Sequence, residues 1–152
     1  MTIQTNDKIF GLLTQYQNCD WEFEFYSDAL SENLIISIEA GDTGLNEKPS
    51  ENVYTSFIWF RDNQDFFRQV LEKTIFNIYQ ERFEAFRDGL GDDADNSASM
   101  ITDSSNIWHL ISKPKLLFLS DFADISISFE TTWDPEHGIT VLIENGKVVL
   151  VE

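Results

Sequence analysis

The period of the hydropathy pattern changes along the chain, and this change constrains the fold more than any other feature of the sequence. In segment 21–26, WEFEFY, apolar and polar residues alternate strictly, as is typical of a strand with one buried face. Segment 31–40, SENLIISIEA, repeats the alternation, with Leu34, Ile36 and Ile38 on the inward face. We therefore predict two neighbouring antiparallel strands in the first third of the chain.

The middle third has the period of a helix. Between Asn63 and Asp88, apolar residues recur at intervals of three and four, which gives a helix one broad apolar face. Segment 54–60, YTSFIWF, fits either a strand or a short helix, and we favour the helix. Because such aromatic stripes usually pack against a sheet, we interpret the stripe as core and not as a cofactor pocket.

Further strands are predicted on both sides of this helix. Asn145-Gly146 lies between two apolar runs, and this dipeptide is a strong hairpin signal because both residues tolerate a positive φ. The other predicted elements are a strand at 8–15, a short helix at 106–113, and strands at 115–120, 124–133, 139–144 and 147–152. The sequence thus predicts a single α+β domain over residues 1–152. Its expected architecture is an antiparallel sheet of about five to seven strands, with one long helix packed on a face and a C-terminal β-hairpin.

The composition excludes several classes of function. The chain has 27 Asp and Glu against 10 Lys and Arg, a formal net charge of −17, so it should repel the phosphate backbone of DNA and RNA. Cys19 is the only cysteine, which excludes an internal disulfide and fits a reducing compartment. Neither a secretory signal nor an apolar run long enough for a bilayer occurs in the sequence. We expect a cytoplasmic protein with no nucleic-acid or membrane partner.

Segment 133–138, WDPEHG, is the strongest candidate for chemistry, because Asp134, Glu136 and His137 lie within four residues. These groups would suit a metal site or an acid/base pair. A metal needs three or four convergent ligands, however, and only His109 and Cys19 remain as distinctive donors. Pro and Gly within the segment favour a turn between strands. We interpret the segment as a structural corner, and predict no catalytic residue, metal or cofactor.

The C-terminal segment 129–152 resembles an uncharacterised bacterial domain family in which an aromatic strand runs into W-D-x-E-H-G and a terminal hairpin. The matching residues are Trp133, Asp134, Glu136, His137 and Gly138. Several members of that family resemble immunity proteins of polymorphic toxin systems. The resemblance implies a small α+β protein that binds another protein, and it implies no catalytic residues.

Two interpretations of the negative charge stay open: it maintains solubility, or it steers a basic protein partner such as a toxin. We expect a non-enzymatic protein-binding domain, with a bacterial immunity protein as the specific hypothesis. The alternatives are a small enzyme or metal-binding protein that uses the acid and histidine side chains of segment 133–138, and a structural or scaffold protein. The candidate partner-binding residues are Glu22, Glu24, Asp92, Asp93, Asp95 and Glu130.

Overall fold

The computed structural model describes residues 2–17, 20–39, 48–90, 101–120 and 124–152, with the backbone alone for 83–90. The described residues form eight strands, two α-helices and one 3-10 helix. The strands are β1 (Ile3–Asp7), β2 (Gly11–Gln15), β3 (Trp21–Ser27), β4 (Glu32–Ile38), β5 (Ile111–Phe118), β6 (Ile125–Thr131), β7 (Ile139–Glu144) and β8 (Lys147–Val151). The helices are α1 (Glu51–Asp62), α2 (Gln64–Leu90) and the 3-10 helix Ser104–His109.

All eight strands join one sheet in the order in which they occur along the chain. Six neighbouring pairs are antiparallel, whereas β4 and β5 are parallel, with Ser37 opposite Leu117 and Ile38 opposite Phe118. Parallel neighbours need a long crossover connection, and the helical part of the chain lies between these two strands. The sheet is therefore mixed.

The predicted fold class is wrong. It assumed an antiparallel sheet of fewer strands under one long helix with a C-terminal hairpin, but the sheet is eight-stranded and mixed. The helical part is divided into consecutive helices at Asn63, which has φ −125° and ψ 39° and ends α1. The prediction of a helix for segment 54–60 is confirmed, since the segment lies within α1. The prediction that residues 1–152 form a single domain stays a prediction.

Several predicted strands also have different bounds. Only the second part of the predicted strand at 8–15 is a strand, β2. An additional strand, β1, precedes it, and a turn connects the two. Asp7 stabilises this turn by accepting hydrogen bonds from the amides of Ile9 and Phe10. β5 begins at Ile111 and includes Pro114, so the predicted helix at 106–113 is a 3-10 helix that ends at His109. Within the described ranges, no helix combines the length and apolar character needed to cross a bilayer.

Both helices pack on one face of the sheet. Leu71 and three other α2 side chains, spaced one helical turn apart, are almost completely buried from solvent. Phe57 of α1 lies in the same core. Phe57 contacts Phe23 and Phe118 with ring centroids 5.1 and 5.8 Å apart, which joins α1 to β3 and β5. The predicted inward face of β4 is confirmed, with Leu34 the most exposed of the set at 4%. On β3, Trp21 and Phe23 are buried and Phe25 is half-buried against the same core. The opposite face of the sheet carries the intervening side chains.

Candidate functional site

The predicted corner, segment 133–138, is a closed turn between β6 and β7. The hydroxyl of Thr131 donates to the carbonyl oxygen of Asp134 at 3.0 Å and accepts from its amide at 3.2 Å. The amide of Gly138 donates to the same carbonyl at 2.9 Å. The Oδ1 atom of Asp134 accepts from the amide of His137 at 3.3 Å and lies 3.0 Å from its Nδ1. Asp134 is thus the centre of the hydrogen bonds that hold the turn.

Trp133 and Gly138 fix the position of this turn on the body of the protein. Trp133 is 8% exposed, and its ring meets that of Tyr79 from α2 edge to face, with centroids 5.3 Å apart. Gly138 has φ +65°, and a Cβ there would lie 2.2 Å from the carbonyl oxygen of Phe129. A left-handed backbone and a contact this close both require glycine.

One hydrogen-bonded side-chain pair lies in the corner, Asp134 with His137. The bond with His137 holds the pKa of Asp134 below its usual range, which keeps the carboxylate charged. Glu136 and His137 are exposed. Among the described residues, no three His, Cys, Asp or Glu side chains converge as ligands for a metal.

A different feature lies on the open face of the sheet, where β2 and β3 separate. These strands pair only at Thr14 with Glu22 and at Gln15 with Trp21. Beyond that point the ring of Phe10 is buried on the inner side of the sheet, where its centroid lies 4.8 Å from that of Phe23. On the outer side a cavity of about 530 Å³ remains, which we call the β2–β4 groove; it is lined by Gln4, Phe10, Gly11, Leu12, Thr14, Tyr16, Glu22, Phe23, Glu24 and Ile35.

The β2–β4 groove combines exposed apolar side chains with carboxylates. Leu12 is 53% exposed and Ile35 65%. Ile35 is the register partner of Glu24, so the two side chains are cross-strand neighbours on the outer face of the sheet. Tyr16 donates from its hydroxyl to Glu22 Oε2 at 3.1 Å, and this bond raises the pKa of Tyr16. Such a surface suits a ligand that is apolar along its length and cationic at its end.

The predicted partner-binding residues are not all brought together. Glu22 and Glu24 lie on the same face of β3, in the groove. Glu130 lies on β6, three strands from β3, which corresponds to about 14 Å across the sheet. It forms an exposed ion pair with Lys113, with 3.2 Å between the charged atoms. The predicted residues Asp92, Asp93 and Asp95 lie outside the described residues, as does Cys19.

A second cavity, of about 650 Å³, lies between β1 and the start of α1 and includes Asp7, Lys48 and Tyr54 in its lining. Burial by itself raises the pKa of Asp7, but the hydrogen bonds from Tyr54 and from two backbone amides outweigh it and lower the pKa. The Tyr54 hydroxyl is 2.6 Å from Asp7 Oδ2. Asp7 accepts hydrogen bonds from Tyr54 and from two backbone amides that hold β1 against α1, whereas Glu24 of the β2–β4 groove is exposed. The β2–β4 groove is therefore the better candidate site.

Residues 9–152, nearly the whole chain, match the sequence profile of a protein family that is described as domain of unknown function DUF6985. The chain belongs to the DUF6985 family. No curated protein and no solved structure matches the DUF6985 chain. The matched range includes both the corner and the groove residues of β2, β3 and β4.

In the DUF6985 domain, the sequence alone indicated two residues of the β2–β4 groove and did not indicate the remaining groove residues. Glu22 and Glu24 follow from the alternation in β3. Leu12 was missed because the predicted strand at 8–15 had no assigned faces, and Tyr16 was missed because it lies one residue beyond that strand. Leu12 and Leu13 are adjacent and so must point to opposite faces of a strand, which is the signal that one leucine is exposed.

Proposed function

We propose that the DUF6985 domain is a non-enzymatic protein-binding domain that receives a basic protein partner in the β2–β4 groove. The observation that carries the proposal is the pairing of Glu24 with Ile35, an exposed carboxylate beside an aliphatic side chain that is 65% exposed. Large apolar side chains that cluster on an otherwise polar surface commonly mark a site for a partner.

Three further properties support a basic partner. The formal net charge of −17 attracts cationic surfaces over a distance and accelerates encounter. Leu12, Tyr16 and Ile35 supply apolar area, which gives affinity that charge alone does not give. The groove lies on the face opposite the helices, so a partner would bind there without displacing the core.

The test is selection from a library of displayed random peptides, with the wild-type domain as target and Glu22→Lys/Glu24→Lys as counter-target. We expect the recovered peptides to be enriched in basic residues next to apolar ones, and to lose binding to the counter-target. Recovered peptides with no basic enrichment, or with equal binding to both targets, would overturn the proposal.

We propose further that the partner is a toxin and that the chain is a bacterial immunity protein. Support comes from the resemblance of segment 129–152 to a domain family, several members of which resemble immunity proteins, and from the negative charge, which complements a cationic active surface. The test is co-expression with the product of the adjacent gene, for which we expect rescue of growth. If that product is harmless alone, or kills equally well when the DUF6985 chain is present, the immunity hypothesis fails.

A further inference from the structure

We infer that the β2–β4 groove recognises an arginine side chain of the partner, with the guanidinium bound between Glu22 and Glu24. This inference rests on the proposed function and names the group that is recognised. Glu22 and Glu24 are two residues apart on one strand, so their Cα atoms are about 6.5 Å apart and their side chains leave the same face of the sheet. Two carboxylates in this arrangement can accept from the two edges of one planar cation.

Arginine fits this site better than lysine for a geometric reason. A guanidinium presents five N–H donors in a rigid fork and is more weakly hydrated than an ammonium group. It can therefore donate to Glu22 and Glu24 at once while its face lies near an apolar or aromatic wall. A lysine ammonium is a compact, strongly hydrated charge, and it would lose more hydration in a groove whose walls include Leu12 and Ile35.

The remaining walls of the groove fit the rest of an arginine side chain. Its three methylene groups can lie along Leu12 and Ile35, which are both more than half exposed. Tyr16 lines the same groove, and its hydroxyl is already held by Glu22. The tyrosine ring is thereby fixed beside the carboxylate, where a guanidinium can stack on it.

The test is an NMR titration of the wild-type domain with three N-acetyl amino-acid amides: arginine, lysine and citrulline. Citrulline keeps the shape of arginine and removes the charge. We expect arginine amide to shift the backbone amide signals of Leu12, Glu22, Glu24 and Ile35 with at least about threefold higher affinity than lysine amide, and citrulline amide to produce no saturable shift. The shifts should disappear in Glu22→Gln/Glu24→Gln.

Two results would overturn the arginine assignment: equal affinity for arginine and citrulline amides, or arginine-induced shifts that map to another surface. The library-selected peptides separate this failure from failure of the proposed function. If those peptides still shift the groove signals, the protein-binding proposal stands and only the arginine assignment fails. If neither probe shifts those signals, both fail.

Discussion

The hydroxyl of Tyr16 donates a hydrogen bond of 3.1 Å to the carboxylate of Glu22 on the neighbouring strand. This bond joins the residue that follows β2 to β3 among the side chains that line the β2–β4 groove. It also orients one of the two carboxylates that we assign to cation binding. The same carboxylate opposes ionisation of the phenol.

The first prediction concerns this pair. Because the Glu22 bond raises the pKa of Tyr16, Glu22→Gln should lower that pKa toward about 10, the ordinary value of tyrosine. The measurement is a pH titration of tyrosinate absorbance, with Tyr16→Phe used to identify the transition that belongs to Tyr16. An unchanged Tyr16 transition in Glu22→Gln would show that the Glu22 carboxylate does not act on the phenol in solution.

A second prediction concerns the corner. Gly138→Ala should cost about 2 to 5 kcal/mol of unfolding free energy, since the left-handed backbone and the contact with Phe129 both oppose a side chain. Gly11→Ala is the matched control, because Gly11 has φ +79° but nothing within 4 Å of an added Cβ, and it should cost about 1 to 2 kcal/mol. Urea denaturation of both variants measures the difference. Equal losses would mean that the contact with the Phe129 carbonyl is not formed.

The core gives a third prediction. Leu71 on α2 has no exposed surface, so Leu71→Ala should lower the unfolding free energy by about 2 to 5 kcal/mol. Lys73→Ala, an exposed position on the same helix, should change it by less than about 0.5 kcal/mol. A loss below about 0.5 kcal/mol for Leu71→Ala would place that side chain on the surface.

The pH dependence of stability gives a fourth prediction. The bond with His137 lowers the folded-state pKa of Asp134, so this carboxylate stabilises the fold above its unfolded pKa of about 3.9. That contribution is lost as the pH falls through the lowered folded-state pKa. The difference in denaturation midpoint between wild type and Asp134→Ala should therefore be larger above about pH 3.9 than below it, where it shrinks as the carboxylate is protonated. A difference that stays constant down to pH 2 would show that the Asp134 charge has no role.

The predictable part of the fold is the part that depends on local periodicity. Alternation alone placed Trp21 and Ile36 in the core, and helical spacing placed Leu71 there. The parallel pairing of β4 with β5 was not predictable in this way, because it depends on where a chain of 72 intervening residues returns to the sheet. The boundary between the helices at Asn63 was within reach of the sequence, because asparagine is favoured where a helix begins and the helical period starts there.

The site was predictable to a similar degree. The outward carboxylates of β3 follow from alternation, but the groove itself depends on the point where β2 and β3 stop pairing and on the register that places Ile35 opposite Glu24. Those are relations between strands. For the corner, Pro135 and Gly138 indicated a turn in advance, whereas the Trp133 contact with Tyr79 depends on how α2 packs.

The central claim is that the β2–β4 groove, and not negative charge in general, binds the basic partner. The most direct test is calorimetry with one library-selected basic peptide and two double variants, each of which removes two of the 27 acidic charges. Glu22→Gln/Glu24→Gln should weaken binding at least about tenfold, since hydrogen bonds to charged groups are lost. Glu81→Gln/Glu136→Gln, at two exposed positions outside the groove, should bind within about twofold of wild type. Equal weakening of both variants, or full affinity in the groove variant, would contradict the claim.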